Sequence, residues 1–225
     1  MASGHETRDA VPLGRVIGIV RLSEPGAAVR AGRELAEAGL DSIEVTLTTP
    51  GALDAVATLR DELAGSCRVG VGSVRTPTEV TAARDAGAEF LVTPTTRVEV
   101  LAQAKAAGLP VVCGAFTPTE VDVAWSSGAA LVKLFPAGVG GPPYLRELLA
   151  PLPDVPLAPT GGVRPESVAE WAAAGAVAVG AGGALVDAAE VAVGDWAALR
   201  RRARAFLAAA AAAHWPDRQG DGRRR

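Results

Sequence analysis

The chain has 225 residues, of which 49% are hydrophobic and 21% are charged, a balance typical of a soluble globular protein. This length is enough for one α/β barrel or for two smaller domains. The formal net charge of -3 and an aromatic content of only 4% argue against nucleic acid or an anionic membrane surface as a partner.

The sequence indicates neither a targeting segment nor a metal site. The opening MASGHETRDA lacks the cationic and apolar regions of a signal peptide, and no run of about 18 apolar residues could cross a membrane. Cys67 and Cys113 are far apart, and His5 and His214 lie near the two ends, so their spacing favours neither a metal site nor a histidine-based dyad. We therefore expect a cytoplasmic protein.

Short β-branched runs alternate along the chain with alanine-rich amphipathic stretches. Several of these stretches close with Ala-Gly or Ser-Gly, which indicates the end of a helix. Thr76 and Thr117 each precede a proline and have a glutamate three residues later, the pattern of a helix-capping box. The eight runs predicted as strands are 15–20, 42–47, 67–73, 89–94, 110–116, 130–135, 156–162 and 176–183.

Eight buried strands separated by helices predict parallel βαβ units. At this length, eight such units favour the α/β class and a single-domain (β/α)₈ TIM barrel over an open sheet. We expect this barrel to occupy 15–215, with a final helix from about Asp195 to Trp215. The N-terminal 1–14 is predicted to be partly disordered, and the polar, arginine-rich 216–225 to be a disordered tail.

Lys133 interrupts the apolar run ALVKLFPAG (129–137). The chain uses arginine for almost all of its positive charge, since Lys105 is the only other lysine among 22 lysines and arginines. Burial of an ammonium is costly and favours loss of its proton. Barrel enzymes place reactive groups at the C-terminal ends of strands. A neutral amine there can attack a carbonyl and form an imine, which arginine cannot do. The alternative is a lysine at a strand end that extends its amine to water.

Glu44 is a second polar residue inside an apolar strand, flanked by Ile43 and Val45. Near a strand end of the same barrel, its carboxylate could move protons for carbon chemistry at an imine. The alternative is a structural salt bridge or a hydrogen bond to a buried backbone group. Together, Lys133 and Glu44 resemble a nucleophile and an acid/base that face one pocket.

Glycine-rich loops follow the last two predicted strands, in PTGGVRPESV (159–168) and VGAGGALV (179–186). Glycines there let backbone N–H groups approach an anion closely, and a following helix N-terminus adds a favourable dipole. Loops at these two positions form the recurring phosphate site of such barrels. We favour a phosphate site, although ordinary tight turns would use the same residues.

Five motifs occur in order between about Val16 and Val186: IEVTLTTP, VGVGSV, LVTP, VKLFPA and PTGGV. In order and spacing they resemble the 2-keto-3-deoxy-6-phosphogluconate (KDPG) and 4-hydroxy-2-oxoglutarate (KHG) aldolases. The resemblance implies a (β/α)₈ class I aldolase, a homotrimer that needs no metal or other cofactor. It would cleave a small-molecule 2-keto acid to pyruvate and an aldehyde such as glyceraldehyde 3-phosphate or glyoxylate.

The resemblance also implies residue roles. Lys133 would form a Schiff base with the 2-keto carbon, and Glu44 would be the general acid/base, acting through a water. Gly72 and Ser73 match a Gly-Thr pair that helps to bind the substrate carboxylate, and Arg21 resembles an arginine near the pocket of many members. The other positions that match pocket-lining or phosphate-loop residues are Pro94, Phe135, Thr160, Gly161, Gly162, Gly182 and Gly183.

Three positions depart from the family pattern. Thr48 stands where many phosphogluconate-specific members have arginine, Ser73 replaces the commoner threonine, and Gly183 stands where a serine is common. These departures leave the lyase prediction in place. They leave open whether the substrate is phosphorylated, which stereochemistry it has and which 2-keto acid it is.

Two other functions fit the residues. A phosphosugar isomerase or epimerase on this barrel would use Glu44 for proton transfer without an imine, and a non-catalytic phosphate-binding barrel would use Lys133 only as a countercharge. The arginine-rich LRRRARAF and GRRR segments near the C-terminus indicate a solvated helix face and tail.

Overall fold

A computed structural model describes residues 13–216. Strands and helices alternate through this part of the chain, as the sequence predicts. The strands are β1 (Val16–Val20), β2 (Ser42–Thr46), β3 (Arg68–Gly72), β4 (Leu91–Val92), β5 (Val111–Ala115), β6 (Leu131–Leu134), β7 (Leu157–Pro159) and β8 (Val179–Ala181). The helices are α1 (Pro25–Glu37), α2 (Ala52–Glu62), α3 (Pro77–Asp85), α4 (Val98–Ala106), α5 (Pro118–Ser126), α6 (Gly141–Leu149), α7 (Val168–Ala173), α8 (Ala188–Ala192) and α9 (Trp196–Ala212).

The eight strands form one parallel sheet in the order β7-β6-β5-β4-β3-β2-β1-β8. A parallel bridge between Thr160 and Gly180 joins its two ends, and the Val177 amide donates a hydrogen bond to the Leu157 carbonyl. The sheet is therefore rolled into a barrel surrounded by helices. This confirms the predicted (β/α)₈ TIM barrel.

Two apolar clusters follow from the alternation of side chains along each strand. The larger lies between the sheet and the helices and contains Val132 and Leu134 of β6. The smaller fills the barrel interior and contains Ile17, Val92 and Ala158. Lys133 lies between Val132 and Leu134 in sequence, and its side chain points to the opposite side of β6 from theirs.

All eight strands are shorter than the sequence predicts, and β4, β7 and β8 are shorter by the most. In these three, the C-terminal end has a local cause. Strand β4 covers only two residues of the predicted 89–94. The Thr93 amide still donates to the Val112 carbonyl, but Pro94 has no N–H to continue the ladder. Strand β7 ends before Gly161 and Gly162, whose φ angles of 90° and 80° leave the extended region. Strand β8 ends where the Gly182 carbonyl accepts turn hydrogen bonds from Leu185 and Val186.

The predicted capping boxes are confirmed at both positions. The Thr76 hydroxyl accepts a hydrogen bond from the Glu79 amide, and the Glu79 carboxylate accepts one from the Thr76 amide. Thr117 and Glu120 make the same reciprocal pair at the start of α5. Helix α9 begins after Asp195, whose carboxylate accepts a hydrogen bond from the Ala198 amide. It ends at Ala212, three residues before the predicted limit.

The leader segment predicted over 1–14 lies outside the described residues except for its last two, and the tail predicted over 216–225 does so except for its first. Leu13 is buried, and the Gly14 amide donates a hydrogen bond to the Ser42 hydroxyl at 2.8 Å. Within residues 13–216, no helix combines the length and the apolar character that a membrane crossing requires.

Candidate active site

Lys133 of β6 and Glu44 of β2 meet at the C-terminal end of the barrel. Lys133 Nζ lies 3.7 Å from Glu44 Oε1, and the side chains are only 8% and 1% exposed. Removing two charges from water is costly, and their mutual attraction compensates for part of this cost. The barrel thus brings together a buried amine and a buried carboxylate that are far apart in sequence.

Small neighbours make room for the Lys133 side chain. In the sheet register Lys133 pairs with Gly114 of β5 on one side and with Ala158 of β7 on the other. Its Nζ lies 5.3 Å from the centroid of the Phe135 ring, within the range of a cation–π contact. The amine is therefore surrounded by backbone, an aromatic face and Glu44.

Glu44 is held against strand β3, which has glycine at the point of contact. A Cβ at Gly72 would lie 2.6 Å from Glu44 Oε2, closer than side-chain atoms approach. Glu44 Oε2 is buried and has no hydrogen-bond partner among residues 13–216, whereas Oε1 faces Lys133. Buried carboxylate oxygens are normally hydrogen-bonded, so Oε2 is an acceptor that a substrate hydroxyl or a water would satisfy.

We expect Gly72→Ala to displace the Glu44 carboxylate, because the new methyl group would overlap Oε2. A misplacement of about 1 Å lowers turnover by about 100-fold, and we expect a loss in kcat of this order. Gly26→Ala is the matched control, since a Cβ at that position has nothing within 4 Å. Equal kcat values for the two variants would show that Glu44 does not depend on Gly72.

The Glu44 carboxyl titrates in an environment dominated by burial. Burial penalises its charged form and raises its pKa above the ordinary glutamate value. The positive charges of Lys133 and Arg21 act in the opposite direction but do not cancel this effect. A carboxyl with a raised pKa next to an amine is suited both to accept and to return a proton.

A cavity of about 920 Å³ opens above this pair. Lys133 lies at its floor, with Phe135 and Thr160 beside it, and Arg21 at the end of β1 lines the same space. The glycine loops after β7 and β8 form one wall through Gly161, Gly162, Gly182 and Gly183. The cavity has the volume of a small-molecule site and combines an amine with glycine backbone that an anion can approach closely.

A family model described as KDPG and KHG aldolase matches residues 8–202 of the chain. The chain belongs to the KDPG and KHG aldolase family. It is therefore an enzyme of the aldolase type, a carbon–carbon lyase.

Individual members of the family are similar over most of the chain. The 2-dehydro-3-deoxy-6-phosphogalactonate aldolase of Escherichia coli K12 is 33% identical over 77% of this chain and 85% of its own length. The 2-dehydro-3-deoxy-phosphogluconate aldolase of Pseudomonas aeruginosa is 34% identical over 86% of this chain and 88% of its own. A KDPG aldolase structure from Legionella pneumophila, with pyruvate captured as a covalent carbinolamine, superposes with a TM-score of 0.79 at 27% identity, covering 85% of this chain and 93% of that one.

Most of the residues that sequence comparison with KDPG and KHG aldolases singles out lie in one place. Lys133, Arg21, Phe135 and Thr160 line the large cavity with the four loop glycines, and Glu44 lies just beneath it. Thr160 is positioned by the lack of a side chain at Gly180, where a Cβ would lie 2.2 Å from its hydroxyl oxygen.

Besides Glu44, three predicted residues do not line this cavity: Gly72, Ser73 and Pro94. Gly72 acts on the site through its contact with Glu44. Ser73 follows directly and has a φ of 63°, a left-handed conformation that is strained for a residue with a side chain. The Pro94 backbone packs against Gly114 of β5, where a Cβ would lie only 2.4 Å from the Pro94 carbonyl carbon.

Thr48, which departs from the aldolase pattern, is exposed at the end of β2. Its hydroxyl lies 2.9 Å from that of Thr46, which in turn lies 3.4 Å from the Thr49 hydroxyl. The Leu22 amide donates a hydrogen bond to Thr49. This edge of the barrel therefore has a row of threonine hydroxyl groups at the place where the family resemblance would put an arginine.

Sequence analysis missed the arginines of α9. We expected a solvated helix face, yet Arg201 and Arg202 line the cavity, and Arg164 lines it from the loop after β7. The amino-acid pattern of α9 gives no signal for this, because the tertiary docking of α9 decides which arginine borders the cavity. Among residues 13–216, no three His, Cys, Asp or Glu side chains are grouped as metal ligands.

Proposed function

We propose that this aldolase is a class I enzyme that cleaves a 2-keto-3-deoxy-6-phospho sugar acid or 4-hydroxy-2-oxoglutarate. The products would be pyruvate and an aldehyde, glyceraldehyde 3-phosphate in the first case and glyoxylate in the second. Lys133 would form a Schiff base with the 2-keto carbon, and Glu44 would be the general acid/base. The observation that carries the proposal is the buried Lys133–Glu44 pair, in which Lys133 lines the cavity and Glu44 lies just beneath it.

The reaction begins at the Lys133 amine. Glu44 is the nearest carboxylate and accepts a proton from the ammonium, because its own pKa is raised by burial. The neutral amine attacks the 2-keto carbon, and loss of water from the resulting carbinolamine leaves a protonated imine. Arginine could not take part in this step, since it does not deprotonate in proteins.

The imine then acts as an electron sink. Removal of the C4 hydroxyl proton breaks the C3–C4 bond, the bonding electrons move toward the imine nitrogen, and the aldehyde leaves. The remaining enamine takes a proton at C3, and water hydrolyses the imine to release pyruvate and regenerate the Lys133 amine. Glu44 serves as acceptor and donor in these transfers, with Oε2 free to contact the substrate or a water.

Two further observations support this chemistry. The Legionella relative holds pyruvate as a carbinolamine, the covalent species that precedes an imine. In this chain Lys133 is the only lysine among the residues that line the large cavity.

The glycine loops favour a phosphorylated substrate. Gly161 and Gly162 have positive φ angles, and nothing lies within 4 Å of a Cβ built at Gly183. Such a backbone presents N–H groups to an anion without side chains in the way. The test is to measure pyruvate release from three substrates: 2-keto-3-deoxy-6-phosphogluconate, 2-keto-3-deoxy-6-phosphogalactonate and 4-hydroxy-2-oxoglutarate. The rates would rank the substrates, and no pyruvate release from any of them would refute the proposal.

We expect the acid limb of the pH profile to lie above the ordinary glutamate range. Because the pKa of Glu44 is raised, its carboxylate becomes protonated at a higher pH than an ordinary glutamate does when the solution is acidified. The quantity to measure is kcat/KM against pH, which reports groups of the free enzyme. Glu120→Gln is the control, because this exposed capping carboxylate has a lowered pKa. A limb that stays in the ordinary range would show that Glu44 does not control it.

We also propose a homotrimer, which rests on the family resemblance alone. Light scattering of the purified protein should give three times the mass of one chain. A monomer that is fully active would contradict this. The cytoplasmic location stays a prediction from the sequence.

A further inference from the structure

Three consecutive arginines in α9 have three different environments. Arg200 pairs with the buried Glu34 of α1. Arg202 pairs with Glu190, at 2.5 Å and 2.9 Å. Arg201 makes no ion pair with any carboxylate of residues 13–216 and is exposed to solvent. Two of the three arginines therefore anchor the helix, and the middle one is left with an unneutralised charge.

Arg201 borders the same cavity as Lys133. Its neighbour Arg202 donates a hydrogen bond to the Ala184 carbonyl at 3.3 Å, and Ala184 follows directly after Gly183. This contact fixes α9 against the loop after β8. On the other side, Arg164 follows the Gly161–Gly162 loop and also lines the cavity without an ion pair to any described residue.

The charges along the cavity wall are unbalanced. Its negative groups are Glu166 and Asp187. Asp187 caps α8, where its Oδ1 accepts hydrogen bonds from two amides, and its Oδ2 lies 3.9 Å from Nη2 of Arg202. Glu190, outside the cavity lining, neutralises one arginine. The positive groups that line the cavity are Arg21, Lys133, Arg164, Arg201 and Arg202. The site therefore has a surplus of positive charge beyond what Lys133 and its partner Glu44 need.

We propose that Arg201 is a specificity-determining residue that binds the phosphate group of a phosphorylated substrate from helix α9. The inference rests on the proposed aldolase function and deepens it. A guanidinium can bind two phosphate oxygens at once, and the glycine loops supply backbone N–H groups beside it. Arg201 therefore selects a 2-keto acid with a terminal phosphate over one without.

The test compares Arg201→Gln with Arg204→Gln. Arg204 is exposed on the same helix but does not line the cavity. For Arg201→Gln we expect KM for the phosphorylated acid to rise about tenfold, as for loss of a charged hydrogen bond, with kcat little changed. The kcat/KM for the unphosphorylated 4-hydroxy-2-oxoglutarate should fall much less, because this acid has no phosphate group and ends in a carboxylate at C5.

Inorganic phosphate is a second probe that needs no turnover. Calorimetric titration should show binding to the unsubstituted enzyme and to Arg204→Gln, and about tenfold weaker binding to Arg201→Gln. Equal phosphate binding by the two variants would overturn the proposal. Absence of phosphate binding by the unsubstituted enzyme would also overturn it.

The failure of this inference is distinguishable from the failure of the proposed function. Pyruvate trapping with borohydride at Lys133 tests the imine and does not involve a phosphate. An enzyme that traps pyruvate while Arg201→Gln keeps its preference for phosphorylated substrates refutes the role of Arg201 alone. If the enzyme does not trap pyruvate but Arg201→Gln binds phosphate more weakly, the imine mechanism is refuted and the phosphate-binding role of Arg201 is supported.

Discussion

Lys133→Arg abolishes aldol cleavage, with an expected loss in kcat of at least about 10,000-fold, as for removal of a covalent nucleophile. Arginine keeps the positive charge opposite Glu44 but does not deprotonate, so it cannot attack a carbonyl. Pyruvate release from each candidate substrate is the measurement.

Lys105→Arg is the matched control, since it replaces the other lysine at an exposed position of α4. Thermal unfolding shows whether each variant folds, and Lys133→Met gives a second replacement of similar volume if arginine does not fit the buried position. Activity that survives in Lys133→Arg would mean that this residue is a countercharge rather than a nucleophile.

Glu44→Gln is expected to lower kcat by about 100-fold to 10,000-fold, the usual contribution of a general acid/base. The amide keeps the size of the side chain but cannot accept or return a proton. The measurement is kcat for cleavage, together with the rate at which pyruvate is trapped on Lys133. Trapping should still occur, because the amine that attacks the carbonyl is intact, but at a lower rate, because Glu44 no longer accepts the proton of the Lys133 ammonium.

The control for this variant is Glu34→Gln. Glu34 is as buried as Glu44, but it pairs with Arg30 and Arg200 between α1 and α9, away from the cavity. We expect Glu34→Gln to lower the free energy of unfolding and to leave kcat unchanged. If Glu44→Gln instead has full turnover, Glu44 is structural and the acid/base lies elsewhere.

The two substitutions together separate the rival functions. An isomerase or epimerase would need Glu44 and would tolerate Lys133→Arg, whereas the proposed aldolase needs both residues. A binding protein without catalysis would release no pyruvate in any variant.

The fold could be predicted from the sequence because each local signal agrees with the global one. Apolar runs of strand length alternate with capped amphipathic stretches, and Thr76 and Thr117 fix two helix starts without any tertiary contact. Strand ends were harder to predict, since Pro94 and the positive φ angles of Gly161 and Gly162 shorten strands that composition alone extends.

For the candidate site, sequence reasoning identified the unusual residues but not their contacts. Lys133 and Glu44 stand out because charged groups interrupt apolar strands, yet their 3.7 Å separation follows from barrel closure. The fit of Gly72 against Glu44 also depends on the register of neighbouring strands. Arg201 could not be found at all, because its exposed position on α9 resembles any solvated helix face until the helix is docked beside the cavity.

The most direct test of the central claim is mass spectrometry of the protein after incubation with pyruvate and borohydride. Borohydride reduces an imine to a stable secondary amine, so the adduct survives digestion and can be assigned to one peptide. We predict a single pyruvate-derived adduct on Lys133, and none on Lys133→Arg or on Lys105. Folded protein that gives no adduct, while a known imine-forming aldolase does so under the same conditions, would contradict the Schiff-base account.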